Sequence, residues 1–188
     1  MGLQGCSFGG FETNYIVTHS KIFAAACSAS GASDLISYYG DLFDNTNSQQ
    51  GKFELGQYKI GTNLWQRPDF YINNSPVFKI NDVTTPILIM STRYDATVPS
   101  SQSIEFFTGL RRLGKKAWLL RYDGNHGVFG KSGLDFSIRM EQFFAHYLKD
   151  MPSPKWMIEG VPATKKGIET GLELDKTGKT PGDGLLIK

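Results

Sequence analysis

Gly5-Cys6-Ser7-Phe8-Gly9, followed at once by Gly10, is a G-x-S-x-G pattern near the first residue of a 188-residue chain. This spacing sets a serine on a strained turn between a strand and a helix, its hydroxyl above a parallel sheet and its neighbours small. Gly5 and Gly9 are expected where the two backbones approach too closely for a Cβ. Only residues 1–4 precede the turn, whereas such a turn normally follows several strands. The expectation is therefore the later part of a larger parallel α/β domain, its upstream strands lying outside the chain.

Composition sets the outer limits. The chain is 40% hydrophobic and 13% aromatic, enough for a packed core and too apolar for disorder. Twenty basic against 18 acidic residues leave a formal charge of +2, which favours neither nucleic acid nor a membrane surface as a partner. No apolar run approaches the length of a membrane span, and the first residues lack the basic and apolar segments of a signal. The sequence does not set the compartment. Cys6 and Cys27 form no disulfide framework, and each is expected to act as a small buried residue. No cluster of His, Cys or carboxylate residues has ligand spacing, so neither metal nor cofactor is expected.

Outward from the turn, residues 12–20 continue into a helix that His19 and Ser20 end. Residues 22–29, mostly small Ala, Cys and Ser with one Phe, suit a covered strand. Residues 31–50 are polar and expected as loop with one helical turn. Arg67-Pro68-Asp69 opens a short helix that the Asn73-Asn74-Ser75-Pro76 stretch closes. Pro86-Ile87-Leu88-Ile89-Met90 is a buried strand. Ser100 or Ser101 is expected to cap a helix to about Leu113, with Ile104, Phe107 and Leu110 on its apolar face and Gly114 past its end. Residues 117–122 form a third strand. A glycine-rich loop follows, then a helix over 134–149 that buries Ile138, Phe144 and Leu148. Strand and helix alternate, as in a parallel sheet with right-handed crossovers. Residues 1–150 make one domain portion. Residues 151–188, with half of the eight prolines, read as an extension that lies along the domain or hangs loose, anchored by Trp156.

A serine hydroxyl needs a base and a group that orients the base. Asp95 lies just beyond the strand 87–90, and His126 just beyond the strand 117–122. Ser7, Asp95 and His126 thus occur in the chain order of α/β hydrolases, each at the carboxyl end of its own strand. His19, at a helix end, and His146, inside a helix beside Phe144 and Tyr147, are poorer candidates. Asp123 stands too near His126 in sequence to be the preferred orienting acid.

The combination of Gly5-Cys6-Ser7-Phe8-Gly9-Gly10-Phe11, Asn74-Ser75-Pro76, Thr85 to Met90, Asp95-Ala96-Thr97-Val98-Pro99, Phe106 to Lys116 and the His126 loop resembles the prolyl oligopeptidase family of serine peptidases. Within that family it is most similar to the dipeptidyl-peptidase-like branch, over roughly residues 2–158. The resemblance implies a partial α/β-hydrolase fold, normally preceded by a β-propeller that admits only short peptides. It also implies peptide cleavage through an acyl-enzyme, frequently after proline or alanine. Ser7 is then the nucleophile, His126 the general base, Asp95 the orienting acid and the Phe8 backbone N–H an oxyanion donor. Ala32, Leu35 and Tyr38 align with a small apolar pocket, and ordinary packing explains them equally well. Thr97 and Val98 follow the acid where that branch has an asparagine and a valine. Thr97 lacks the amide donor, which weakens the case for strict dipeptidyl preference.

On this view the second oxyanion donor, the propeller and any acidic pair that grips a free N-terminus lie upstream of Met1. The chain alone is then expected to be weakly active or inactive. Two other readings stay open: an esterase or lipase on the same fold, and a non-catalytic remnant that self-associates through an exposed sheet edge. A histidine base makes activity rise as the ring loses its proton, whereas a flat profile between about pH 5 and 8 points away from His126.

Overall fold

The computed structural model describes residues 1–43, 46–165 and 167–179. Four parallel strands make the sheet: β1 (Gly2–Cys6), β2 (Ala25–Ala29), β5 (Ile87–Thr92) and β6 (Ala117–Tyr122), in the order β1-β2-β5-β6. Between β1 and β2 lies α1 (Phe8–His19), with Ser20 at its carboxyl end. The connection from β2 to β5 is long. It holds α2 (Leu35–Tyr39), a short antiparallel pair β3 (Leu42–Phe43) and β4 (Asn47–Ser48), α3 (Gln50–Glu54), α4 (Pro68–Asn73) and a 3-10 turn, Pro76–Asp82. Helix α5 (Ser100–Arg112) joins β5 to β6, and α6 (Gly130–Lys149) follows β6. The chain continues through α7 (Lys155–Ile158) and a 3-10 turn at Ala163–Lys165.

Side chains alternate across a strand, so each strand feeds both faces of the sheet. Ala26, Ile87, Ile89 and Ala117 face one way and pack with Val17 of α1 and with Phe106 and Leu110 of α5. Ala25, Cys27, Leu88 and Trp118 face the other way, against Phe143 of α6 and Trp156 and Met157 of α7. Coverage on both faces accounts for the near-continuous apolar strands. A third cluster, with Leu35, Tyr38, Tyr39, Phe53, Tyr71 and Val98, lies in the β2–β5 excursion and the loop after β5.

Some local expectations are corrected. Pro99, not a serine, precedes the first turn of α5, and no side chain caps that helix. Phe106 and the expected Leu110 are fully buried, while Ile104 and Phe107 are half-buried. On α6 the buried positions are Arg139 and Phe143, and Leu148 is exposed. Phe136, Met140, Phe144 and Tyr147 pack partly buried beside Phe143, so Phe144 lies on the apolar face as expected, while Ile138 is only half-buried. Gly114 does end α5 with a positive φ of 68°.

The segment after residue 150 packs on the sheet and α6 through Trp156, Met157, Val161 and Leu172. Its chain doubles back, with Lys155 N–H on the Glu173 carbonyl (2.9 Å) and Trp156 N–H on the Gly171 carbonyl (3.0 Å). Trp156 is buried and donates through Nε1 to Gln142 Oε1, 2.8 Å away. Trp118 donates to the Met157 carbonyl, also at 2.8 Å. The final residues, 180–188, lie outside the described part.

Candidate active site

Ser7 occupies the turn from β1 into α1 with φ 60° and ψ −119°, a conformation that non-glycine residues rarely adopt. Two backbone bonds hold it: Ser7 N–H to the Ala29 carbonyl (2.9 Å) and Phe11 N–H to the Ser7 carbonyl (3.1 Å). The glycines around it do different work. A Cβ on Gly5 would stand 2.0 Å from the Gly9 carbonyl oxygen, and one on Gly10 would stand 2.5 Å from the Ala29 carbonyl oxygen. Around Gly9, by contrast, there is open space. The close approaches are therefore at Gly5 and Gly10, which corrects the expectation for Gly9.

Asp95 sits in the loop after β5 with its side chain only 1% exposed. Its Oδ1 accepts the Thr97 and Val98 backbone N–H groups, each at 2.9 Å. Burial acts against its charge, but hydrogen bonds from His126, Val98 and Thr97 together outweigh it and hold the carboxyl below its usual range. His126, in the loop after β6, places Nδ1 2.9 Å from Asp95 Oδ2 and 3.0 Å from Oδ1, and Nε2 2.8 Å from Ser7 Oγ. An ionised carboxylate only accepts, so Nδ1 carries the proton and Nε2 of the neutral ring is free to accept from the serine.

Asn125 ties the two loops together, a role that sequence reasoning missed. Its Oδ1 accepts from Ala96 N–H (3.2 Å) and His126 N–H (2.8 Å), and its carbonyl accepts from Thr92 Oγ1 (2.6 Å). The signal was a short amide side chain beside the histidine, the residue type that bonds nearby backbone in turns. Gln102 was missed too. Fully buried in α5, it accepts Ser33 and Asp34 N–H at 3.0 and 2.9 Å and donates to Ser37 Oγ, fixing the start of the β2–β5 excursion.

Phe8 is the first residue of α1, where a backbone N–H has no intrahelical acceptor. Beside it opens a cleft of about 320 Å³ lined by Phe8, Phe11, Leu35, Tyr58, Ile60 and Phe70, with Lys59 and Asn74. Of the residues aligned with an apolar pocket, only Leu35 lines this cleft. Ala32, Tyr38 and Val98 are buried in the cluster behind it, and Thr97 is half-buried, its carbonyl accepting from Tyr38 Oη. Ala32 and Val98 therefore shape the wall from behind.

The other candidates face elsewhere. His19 stacks on Tyr15, and its Nδ1 lies 2.8 Å from the Tyr15 carbonyl. The Nδ1 of His146 lies 2.8 Å from the Met151 carbonyl. Asp123 is paired with Arg93 at 3.2 Å. Cys27 is buried, and burial pushes its thiol up to about 12. Cys6 is exposed, against expectation, because β1 pairs only with β2 among the described strands and forms one edge of the sheet.

A family model described as the prolyl oligopeptidase family matches residues 1–151. The chain belongs to the prolyl oligopeptidase family. Uncharacterized peptidase YuxL of Bacillus subtilis (strain 168) is 30% identical over 133 residues, covering 71% of this chain and 19% of that protein. The chain thus spans about a fifth of the length of this curated relative. Among solved structures, the acylaminoacyl peptidase of Pyrococcus horikoshii superposes with a TM-score of 0.66 at 27% identity, covering 79% of this chain and 24% of that one. A puromycin-hydrolyzing peptidase of Mycobacterium tuberculosis gives 0.70 at 26%, covering 78% and 22%. With these neighbours, the parallel sheet and flanking helices are part of the α/β-hydrolase fold of the prolyl oligopeptidase family.

Proposed function

We propose that this chain carries the reacting groups of a serine peptidase that cuts short peptides through an acyl-enzyme. The unbroken line of hydrogen bonds from Asp95 through His126 to Ser7 supports this most directly. Ser7 Oγ attacks the scissile carbonyl carbon as His126 Nε2 takes its proton. The resulting imidazolium, held by Asp95, gives that proton to the leaving amine, the C–N bond breaks and the acyl group stays on Ser7. Water then attacks the ester, its proton returns through His126 to Ser7, and the acid product leaves. The Phe8 N–H faces the developing oxyanion.

The cleft beside Phe8 is walled by aromatic and aliphatic side chains, which suits an apolar residue before the scissile bond. An upstream propeller that restricts entry to short peptides belongs to the same reading, whereas self-association along the β1 edge belongs to the alternative of a non-catalytic remnant. The test, made on the full-length protein, is labelling with a fluorophosphonate probe, followed by assay on Xaa-Pro and Xaa-Phe anilides and on a simple ester. Labelling of Ser7 that is lost in Ser7→Ala, together with anilide hydrolysis, is the expected result. Labelling with ester turnover alone makes the protein an esterase, and no labelling removes the hydrolytic reading.

A further inference from the structure

Lys52 and Tyr38 lie in the β2–β5 excursion, remote in sequence from Ser7, Asp95 and His126, yet a line of hydrogen bonds connects them to Asp95. Lys52 Nζ donates to Tyr38 Oη at 2.6 Å, and Tyr38 Oη donates to the Thr97 carbonyl at 2.5 Å. Thr97 N–H and Val98 N–H then both reach Asp95 Oδ1 at 2.9 Å. The direction of this line is forced. An ammonium only donates, so Tyr38 Oη accepts from Lys52, and its single proton goes to Thr97. Tyr38 is fully buried, and burial, with the nearby Tyr58, Asp95 and Asp41, keeps its phenol protonated.

The Thr97 carbonyl and the Val98 N–H belong to one planar peptide unit. Tyr38 holds the oxygen of that plane and Asp95 accepts from its nitrogen, so fixing the first orients the second. Lys52 strengthens the tether: a phenol that accepts from a cation becomes a better donor. Its ammonium also lies 5.0 Å from the centre of the Tyr38 ring. Phe53 and Tyr58 pack edge-on against that ring, with centroids 5.1 and 6.4 Å away, and so limit its rotation.

We propose that Lys52 and Tyr38 are positioning residues for Asp95, acting through the Thr97–Val98 peptide. The inference rests on Ser7, His126 and Asp95 being the reacting groups. Neither residue lines the cleft beside Phe8, so their effect falls on turnover and not on substrate capture.

Tyr38→Phe keeps the ring and removes only the hydroxyl. In the full-length protein it should lower kcat about tenfold and slow fluorophosphonate labelling by a similar factor, the scale of one lost hydrogen bond, while KM stays within about twofold. Lys52→Met should lower kcat several-fold, and Lys52→Arg should restore most of it. Thermal unfolding of each variant separates positioning from folding. Wild-type kcat in both Tyr38→Phe and Lys52→Met overturns the proposal, as does a loss confined to KM, a loss that follows unfolding, or no rescue by arginine. If Ser7 of the wild type is not labelled, the triad reading fails and this inference with it. If Ser7 is labelled at equal rates in wild type and Tyr38→Phe, only this inference fails.

Discussion

Asp95 shows how one buried carboxylate can stay charged. Its desolvation is opposed by two backbone donors and one imidazole, and the balance leaves it more acidic than a free aspartate. A depressed value in the fold stabilises the folded state above the ordinary carboxylate range, about pH 3.9, and that contribution is lost as pH falls through the depressed value. Denaturant unfolding of wild type and Asp95→Asn between about pH 3 and 7 should show a gap that is full near neutrality and closes below about pH 4. A gap independent of pH would mean that the charge of Asp95 adds nothing to stability. His126 and Asp95 were legible as residues because serine, acid and histidine followed separate strands. The Asn125 bracket was not, since one side chain that bonds two loops leaves no spacing in either.

At the scale of elements, the β1–α1 junction turns on which glycine lacks room. Gly5→Ala pushes a methyl group into the Gly9 backbone, which cannot yield without moving α1. A loss of about 3 kcal/mol or more is expected in denaturant unfolding. Gly9→Ala meets no atom and should be neutral, or stabilising by up to about 1 kcal/mol, through reduced freedom of the unfolded chain. Equal losses at both positions would refute the assignment. The motif itself does not say which glycine is crowded, because that depends on how the helix lies across the strand. The same limit applies on α6. Sequence periodicity pointed to Ile138, Phe144 and Leu148; Phe144 does pack on the core, but Phe143 beside it is the fully buried residue and Leu148 is exposed.

For the whole molecule, both faces of the sheet must be covered, and the extension covers part of one. Trp156 packs with Trp118 and Phe143 in the cluster that covers one face of β2, β5 and β6. Trp156→Ala should cost about 3–5 kcal/mol of unfolding free energy, read by chemical denaturation, while Ser7 stays reactive toward the probe in the fraction that remains folded. A loss below about 1 kcal/mol would show that the extension merely rests on the domain.

The sequence by itself determined the three parallel-sheet strands after the elbow, the elbow and the order of its polar partners, since period, glycine spacing and residue type are local properties. Only the tertiary structure decided what surrounds them: which glycine is crowded, that Ala32, Tyr38 and Val98 stand behind the cleft, and that Lys52 reaches Asp95 through a peptide plane. Such relations join residues far apart in the chain through three-dimensional contacts, and no short pattern encodes those contacts.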